Sequence, residues 1–393
     1  MDSIVRAVVK FFLIVVIIDS VSFSQGIVPA ADRPLLYLSL LKSKHIALIV
    51  NHASLVRKHH LLDYLLKEKI HIQKIFVPEH GFRGNADAGA HIENSRDKNT
   101  GLPIISLYGK RSKPSKSDLE GIELILFDLQ DVGVRCYTYL STLHYVMEAA
   151  AERHIPLVVL DRPNPNGNTV DGPVLKRKYR SFVGLDPVPL LYGMTIGEYA
   201  RMLNGEGWLK GGVKADLRVV PLGGYTHRSR YALPVKPSPN LPNERAVMLY
   251  PSLVLFEGTV ISAGRGTAKP FQLYGAPEYT EKTFSFVPRS MSGAKHPKHE
   301  GKRCYGADLS CINIGKYRTQ GKLNLGYLKD AYRHYADKQH FFLHGGKFFD
   351  KLAGTDRLRK QIISGASEAQ IRQSWEKGLV KFKKIRERYL LYP

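Results

Sequence analysis

Short runs of aliphatic residues alternate with stretches of helical periodicity through the first half of the chain. Four such runs occupy residues 47–50, 75–77, 124–127 and 157–160, and each stops at polar or charged residues. Short runs that are apolar throughout are typical of parallel strands buried on both faces. The pattern therefore predicts an α/β fold that begins with a Rossmann-like, mostly parallel sheet.

Two helices are predicted to cross between these strands. Residues 58–67 place Leu61, Leu62 and Leu65 on one helical face, and residues 138–153 have the same periodicity. No GxGxxG motif follows the first strand, so dinucleotide binding is not supported and no cofactor is predicted.

The second half of the chain has shorter apolar runs and loops rich in Pro and Gly. A run at 253–256 ends at Glu257 and repeats the strand-then-polar pattern, and residues 368–391 have the periodicity of a long helix. Because single cores stop growing at roughly 250 to 300 residues, we expect two domains. Residues 27–185 are predicted to form the sheet domain, and residues 186–393 an ancillary α+β domain that closes a cleft.

Residues 1–24 have the pattern of a secretory signal peptide. Arg6 and Lys10 precede an apolar run at 11–18, and small residues lead to a cleavage position after Ser24. The run is shorter than the about 20 apolar residues that span a bilayer. We therefore expect a secreted or periplasmic protein that has no integral membrane span once this segment is removed.

The formal charge of +23 makes nucleic acid the first partner to consider. The positive charge is spread along the chain, however, and accompanies no RNA-binding signature or helix-turn-helix. We therefore expect no nucleic-acid partner. For an exported protein, anionic polymers of the envelope are better partners, and a basic surface that is merely solvated is an equal alternative.

Three cysteines do not make a disulfide scaffold in a chain of this length. Cys304 and Cys311 could pair in an oxidising compartment, whereas Cys136 is predicted to be a small buried hydrophobe. No CxxC or HExxH motif occurs, so no metal site is predicted.

The residues that follow the predicted strands are candidates for a pocket, because ligands in open α/β sheets bind outside the carboxyl ends of the strands. One predicted wall consists of Asn51, Glu79, His80, Asp128, Asp131 and Arg162. Its strongest part is Glu79, His80 and Arg83, where desolvation would raise the pKa of the carboxyl group, as a general acid near neutral pH requires. The alternative is a turn whose charges pair with one another.

The other strand-end loops have similar alternatives. Asp128, Asp131 and Arg135 offer two carboxylates and an anion clamp, or else loop hydrogen bonds and an ion pair. Asn164 lies in a stiff, amide-rich loop that suits hydrogen bonding to sugar hydroxyls, although turn chemistry explains the same residues.

Glu257 and Arg265 form the opposing wall if the second domain closes over the sheet, and an ordinary surface ion pair if it does not. No GxSxG nucleophile elbow is present, so a serine hydrolase of the α/β type is not supported.

Seven motifs follow one another from about Ser43 to the end of the chain. They are VPEHGFRG at 77–84, DLQDVGVRCYTY at 128–139, LDRPNP at 160–165, GMTIGE at 193–198, PSPNLP at 237–242, FEGT at 256–259 and GRGT at 264–267. In this order they resemble the exo-β-N-acetylmuramidases of the NamZ type, glycoside hydrolase family 171, formerly a domain of unknown function.

The resemblance implies release of N-acetylmuramic acid from the non-reducing end of peptidoglycan fragments, in a cleft between the two domains. It makes Glu79 the candidate catalytic glutamate. The residues that it carries over as pocket candidates are Asn51, His80, Arg83, Asp131, Arg135, Tyr137 and Glu257. The chain has Val260 where the family motif leads us to expect Asn, a difference that bears on fine specificity more than on the reaction class.

Elementary chemistry is compatible with this activity, because the lactyl carboxylate of muramic acid suits a bidentate pair with an arginine. The candidates for that role are Arg83, Arg135 and Arg265. Glycosidases use two carboxyl groups, about 5 to 5.5 Å apart for retention and about 6.5 to 9.5 Å apart for inversion. The candidates for the partner of Glu79 are Asp128, Asp131 and Glu257. A non-catalytic protein that binds envelope glycan is the alternative function.

Overall fold

The computed structural model of the chain describes residues 26–82 and 94–393. Its strands, in chain order, are β1 (Ile46–Val50), β2 (Leu55–Val56), β3 (His59–His60), β4 (Ile72–Val77), β5 (Ser95–Arg96), β6 (Pro103–Ser106), β7 (Leu124–Asp128), β8 (Leu157–Leu160), β9 (Val170–Asp171), β10 (Leu191–Tyr192), β11 (Leu217–Val220), β12 (Leu273–Ala276), β13 (Ser285–Phe286) and β14 (Cys304–Asp308). Its α-helices are α1 (Leu38–Leu41), α2 (Leu61–Lys67), α3 (Tyr139–Glu152), α4 (Ile196–Gly205), α5 (Glu244–Leu253), α6 (Ile314–Thr319), α7 (Gly326–His334), α8 (Lys347–Ala353), α9 (Arg357–Ile363) and α10 (Glu368–Glu387).

Seven of these strands form the main sheet, in the spatial order β11-β8-β7-β1-β4-β6-β5. Each neighbouring pair is parallel except β5 and β6, which are antiparallel. The four aliphatic runs lie in β1, β4, β7 and β8, so the predicted α/β fold with a mostly parallel sheet is confirmed. Parallel pairing brings the carboxyl ends of β4, β1 and β7 to one edge, with β1 between the other two.

Burial on both faces explains why these strands are apolar throughout. All five residues of β1 are buried. Ala47 and Ile49 belong to a hydrophobic cluster that continues into the second half of the chain, whereas Ile46, Leu48 and Val50 belong to a cluster on the opposite face. Successive side chains of a strand point to opposite faces, so both sets must be apolar.

Two helix boundaries differ from the predicted ones, at the start of α2 and at the end of α10. α3 lies where residues 138–153 predicted it. α2 begins at Leu61 because His59–His60 pairs with β2, and the ring of His60 then accepts a hydrogen bond from Leu62 N at 3.2 Å. α10 ends at Glu387, short of the predicted end.

The expected strand at residues 253–256 is wrong. Leu253 is the last residue of α5, and Val254–Gly258 forms a 3-10 helix. The side chain of Asn243 starts α5 by accepting from Ala246 N at 2.9 Å. The run is apolar because it is buried on every side, and a short buried run does not distinguish a strand from a helix.

The second part of the chain combines a three-stranded sheet, ordered β12-β14-β13, with helices α6 to α10, as expected for an ancillary α+β domain. β11 lies beyond the predicted boundary at residue 185 but pairs with β8 in the main sheet. A boundary after β11 therefore suits the strand pairing better, and the division of the chain into domains stays a prediction.

The three cysteines are free thiols, with Cys136 and Cys304 buried and Cys311 exposed. Burial of Cys136 confirms its expected role, whereas Cys304 and Cys311 are not bonded to each other. Within residues 26–82 and 94–393, no helix has the length and hydropathy that a membrane crossing requires. The predicted signal peptide at 1–24 lies outside the described residues.

Candidate active site

A cavity of about 250 Å³ opens at the carboxyl ends of β4 and β7, where loops of the main sheet meet segments from the second half of the chain. Five of the predicted site residues line it, namely Glu79, His80, Tyr137, Glu257 and Arg265. Among the described lining residues, the carboxylates are those of Glu79 and Glu257. A concave site with a few convergent polar groups is typical of a ligand pocket.

Glu79 follows β4 and is held by hydroxyl groups from two neighbouring loops. Thr138, just before α3, donates from Oγ1 to Glu79 Oε2 at 2.7 Å. Tyr108 follows β6 and also hydrogen-bonds Glu79. Burial, then the charge of Glu79 and this hydrogen bond, raises the pKa of Tyr108, so its hydroxyl remains a donor. The two contacts orient the half-buried carboxylate at the cavity wall.

His80 turns the chain at the end of β4. Its backbone is left-handed, with φ 73°, and the turn is closed by a hydrogen bond from Gly81 N to Pro78 O at 3.1 Å. This conformation costs roughly 1–2 kcal/mol for a residue other than glycine. Strained residues of this kind cluster at functional sites, and here the turn places Glu79 and His80 together at the cavity.

Glu257 lies opposite, in the 3-10 helix that follows α5, and pairs with Arg265. Nε of Arg265 donates to Oε1 of Glu257 at 2.9 Å, and the guanidinium lies 5.0 Å from the ring centroid of Phe271. Burial alone would raise the pKa of Glu257. The charges of Arg265 and Lys298, with the hydrogen bond from Arg265, outweigh burial and lower that pKa, so Glu257 is ionised at neutral pH.

Aromatic rings form much of the remaining wall. They belong to Tyr108, Tyr137, Tyr250, Phe271 and Phe348. Tyr137 packs edge to face against Tyr250, with centroids 6.2 Å apart, and donates from its hydroxyl to Pro237 O at 2.8 Å. Flat apolar faces beside charged groups suit the apolar face and polar edge of a sugar ring.

Asp128 and Arg162 do not line the cavity but form a buried ion pair. Nε and Nη2 of Arg162 donate to the two carboxylate oxygens of Asp128, each at 2.6 Å. Nη2 also donates to Leu55 O at 2.9 Å. Asp128 is 0% exposed and Arg162 is 3% exposed. The pair therefore stabilises the edge of the sheet and is not available to a ligand.

Asn51, Asp131 and Asn164 are also buried and hold the protein's own backbone and side chains. Asn51 Nδ2 donates to the hydroxyl of Tyr139 at 2.8 Å, and Asn164 Nδ2 donates to Met194 O at 2.8 Å. Asp131 accepts from the hydroxyl of Tyr192 and from Gly133 N. Burial raises the pKa of Asp131 to about 6 against these hydrogen bonds, which lower it.

Arg135 is 1% exposed and contacts backbone carbonyl groups instead of an anion. Its Nη1 donates to Pro173 O and Val188 O at 3.0 and 2.8 Å, and its Nη2 donates to Leu352 O at 2.7 Å. Arg135 therefore ties the loop after β7 to the end of α8. Arg83 lies outside the described residues.

Several lining residues were missed by the sequence reasoning, among them Tyr108, Thr138, Ser238, Asn240 and Phe348. Ser238 and Asn240 lie in the PSPNLP motif at 237–242, which was recognised as a motif but not as a source of pocket side chains. Tyr108 was missed because β6, which precedes it, is only four residues long and begins with proline. Phe348, on α8, carries no local signal, and only the tertiary fold brings it to the cavity.

Within the described ranges, no group of three or more His, Cys, Asp or Glu side chains is arranged to hold a metal ion. The chemistry available from the described lining residues is that of two carboxylates, a guanidinium, an imidazole, an amide, a thiol and several hydroxyl groups.

Comparisons with known proteins give one consistent result. Residues 46–245 match the family model for exo-β-N-acetylmuramidase NamZ, N-terminal, and residues 248–392 match the corresponding C-terminal model. The peptidoglycan β-N-acetylmuramidase NamZ of Bacillus subtilis (strain 168) is 41% identical over 374 residues, which cover 91% of this chain and 89% of that protein.

Two crystal structures of DUF1343 family proteins from Bacteroides fragilis NCTC 9343 have the same fold. One is 44% identical, with a TM-score of 0.87, and the match covers 94% of this chain and 99% of that chain. The other is 26% identical, with a TM-score of 0.79, and covers 93% and 99%. The resemblance inferred from the motifs is confirmed, and the chain belongs to the NamZ family of exo-β-N-acetylmuramidases.

Proposed function

We propose that this protein is an exo-acting glycoside hydrolase that releases N-acetylmuramic acid from the non-reducing end of peptidoglycan fragments. One observation carries the proposal: two carboxyl groups, those of Glu79 and Glu257, line the same cavity. Thr138 and Tyr108 donate hydrogen bonds to Glu79, and Arg265 pairs with Glu257. A protein that only binds envelope glycan needs no such pair.

The two carboxyl groups are assigned different roles. Glu79 is the candidate catalytic glutamate of the motif that follows β4, and we assign it as the general acid that protonates the glycosidic oxygen. Glu257 stays ionised and faces the positive charge that develops on the sugar ring. Glu257 then either attacks the anomeric carbon or activates a water molecule. Proton NMR of the first-formed anomer distinguishes these two routes, because only the first retains the configuration.

Arg265 is proposed to bind the lactyl carboxylate that distinguishes muramic acid from glucosamine. Its Nε is occupied by Glu257, and its two terminal nitrogens make no protein hydrogen bond within the described ranges. The ring of Phe271 supports the plane of the guanidinium. A planar fork with free N–H groups suits a carboxylate.

Replacing Arg265 by Met tests this role with a substrate and its lactyl amide. We expect the wild type to prefer the free acid by roughly 10- to 100-fold, from the about 1.5–3 kcal/mol of a hydrogen bond to a charged group. Arg265→Met should lose that preference, even though it also disturbs Glu257 and lowers both rates. An unchanged ratio of the two kcat/KM values would show that another group binds the carboxylate.

We also propose that the protein works outside the cytoplasm, on peptidoglycan-derived saccharides and not on nucleic acid. The pattern of residues 1–24 supports export, and the substrate is a polymer of the cell envelope. Sequencing the N-terminus of the protein recovered from the extracytoplasmic fraction tests this. Recovery in the cytoplasm with Met1 intact would contradict it.

The reaction itself is tested with two sets of peptide-free glycan fragments, one ending in N-acetylmuramic acid at the non-reducing end and the other in N-acetylglucosamine. We expect mass spectrometry to find free N-acetylmuramic acid from the first set alone. Disaccharides released from the second set would indicate internal cleavage, and no product from either set with folded protein would favour the glycan-binding alternative.

A further inference from the structure

The ammonium group of Lys298 lies inside a cluster of four backbone carbonyl oxygens. Its Nζ is 2.7 Å from the carbonyl oxygens of Phe256 and Thr259, and 3.3 Å from those of Glu257 and Ile261. An ammonium group has three N–H donors and no acceptor. It therefore makes two short hydrogen bonds and shares the third donor between the two more distant oxygens.

These carbonyl groups need donors because the 3-10 helix Val254–Gly258 ends among them. The last carbonyl groups of a helix have no partner within it, and a cation is favourable at that end. Thr259 supplies part of the need, since its N and Oγ1 both donate to Phe256 O, at 2.9 and 3.0 Å. Lys298, which lies about 40 residues further along the chain, supplies the other hydrogen-bond donors.

The positive charge of Lys298 lies near two charged residues of the cavity wall. Glu257 and Arg265 are the charged groups that act on it, and His299 lies beside it, with Nε2 2.6 Å from Val260 O. Arg265 contacts the carboxylate of Glu257, whereas Lys298 contacts the backbone that carries it. Two cations therefore hold Glu257, Arg265 at its carboxylate and Lys298 at its backbone carbonyl.

We infer that Lys298 is a positioning residue, whose ammonium group fixes the backbone around Glu257 and so places the carboxylate in the cavity. The inference rests on the proposed function of that cavity. Lys298 does not line the cavity. Displacing a catalytic group by about 1 Å lowers the rate about 100-fold. Loss of Lys298 should therefore lower kcat.

The experiment compares Lys298→Ala and Lys298→Met with the wild type, using 4-nitrophenyl N-acetylmuramide. Lys302→Met is the matched control, because Lys302 is an exposed lysine four residues away. We expect kcat of both Lys298 variants to fall roughly 10- to 100-fold, with KM nearly unchanged, and Lys302→Met to resemble the wild type.

Chemical rescue separates the positioning role from a general loss of structure. Methylammonium fits the space that Lys298→Ala opens and has three N–H donors, so it should restore part of kcat in that variant. It should not do so in Lys298→Met, whose side chain fills the space. Tetramethylammonium has the same charge but no N–H group, and should restore nothing.

The thermal midpoint gives a second readout that is independent of activity. Methylammonium should raise the midpoint of Lys298→Ala and leave that of the wild type unchanged. No rise, or a variant with wild-type kcat, would overturn the inference about Lys298. An inactive wild type whose Lys298→Ala variant is still stabilised by methylammonium would instead contradict the proposed function.

Discussion

Replacing Arg162 by Met should destabilise the protein without removing its chemistry. The change deletes both 2.6 Å hydrogen bonds to Asp128 and the contact with Leu55 O, and leaves the Asp128 carboxylate unpaired at 0% exposure. Breaking a buried ion pair by removing one partner costs about 3–5 kcal/mol of unfolding free energy. The kcat of the folded variant should stay within about threefold of the wild type, because neither residue lines the cavity.

The assay combines urea unfolding, followed by circular dichroism, with turnover of 4-nitrophenyl N-acetylmuramide well below the unfolding transition. The double variant Asp128→Asn/Arg162→Met is the control. It should be more stable than Arg162→Met alone, because no unpaired charge remains. A folded Arg162→Met variant with wild-type stability and no turnover would refute this reasoning. It would indicate that Asp128 and Arg162 take part in the reaction.

Two further predictions concern buried groups. Gly354→Ala should lower the unfolding free energy by about 1–3 kcal/mol more than Gly101→Ala, because both have positive φ but only at Gly354 would the added Cβ meet Arg135 Nη2, at 2.8 Å. Burial would lower the pKa of His144, but the hydrogen bonds that its ring donates to the carboxylates of Asp186 and Glu148 raise it to about 9. Its stabilisation is thus complete below pH 6.5 and lost as the pH rises through about 9, so His144→Gln should flatten the loss of stability over that range in thermal unfolding at several pH values.

The sheet could be predicted from the sequence because its strands are buried on both faces. Every residue of a strand such as β1 must then be apolar, and the run ends where the strand ends. The run at 253–256 obeys the same burial rule in a helix, which is why it was mistaken for a strand. The pairing of β11 with β8 could not be predicted from the sequence, because β11 is apolar only in part.

The candidate site was predicted in part, since charged residues follow several strands but only some of them face the cavity. Glu79 and Asp128 come at the ends of strands on either side of β1, yet Asp128 forms a buried ion pair with Arg162. Arg135 resembled an anion clamp, but its guanidinium is satisfied by carbonyl groups from distant segments. Such partners depend on tertiary contacts that no local pattern reports.

The role of Glu79 is tested by measuring kcat/KM of Glu79→Gln on two substrates, the disaccharide N-acetylmuramyl-β-1,4-N-acetylglucosamine and 4-nitrophenyl N-acetylmuramide. The exposed Glu152→Gln variant is the control. The sugar leaving group needs a proton, so its kcat/KM should fall about 10²- to 10⁴-fold, whereas 4-nitrophenolate leaves with less help and should lose much less. Near-wild-type cleavage of the disaccharide by folded Glu79→Gln protein would contradict the assignment of Glu79 as the general acid.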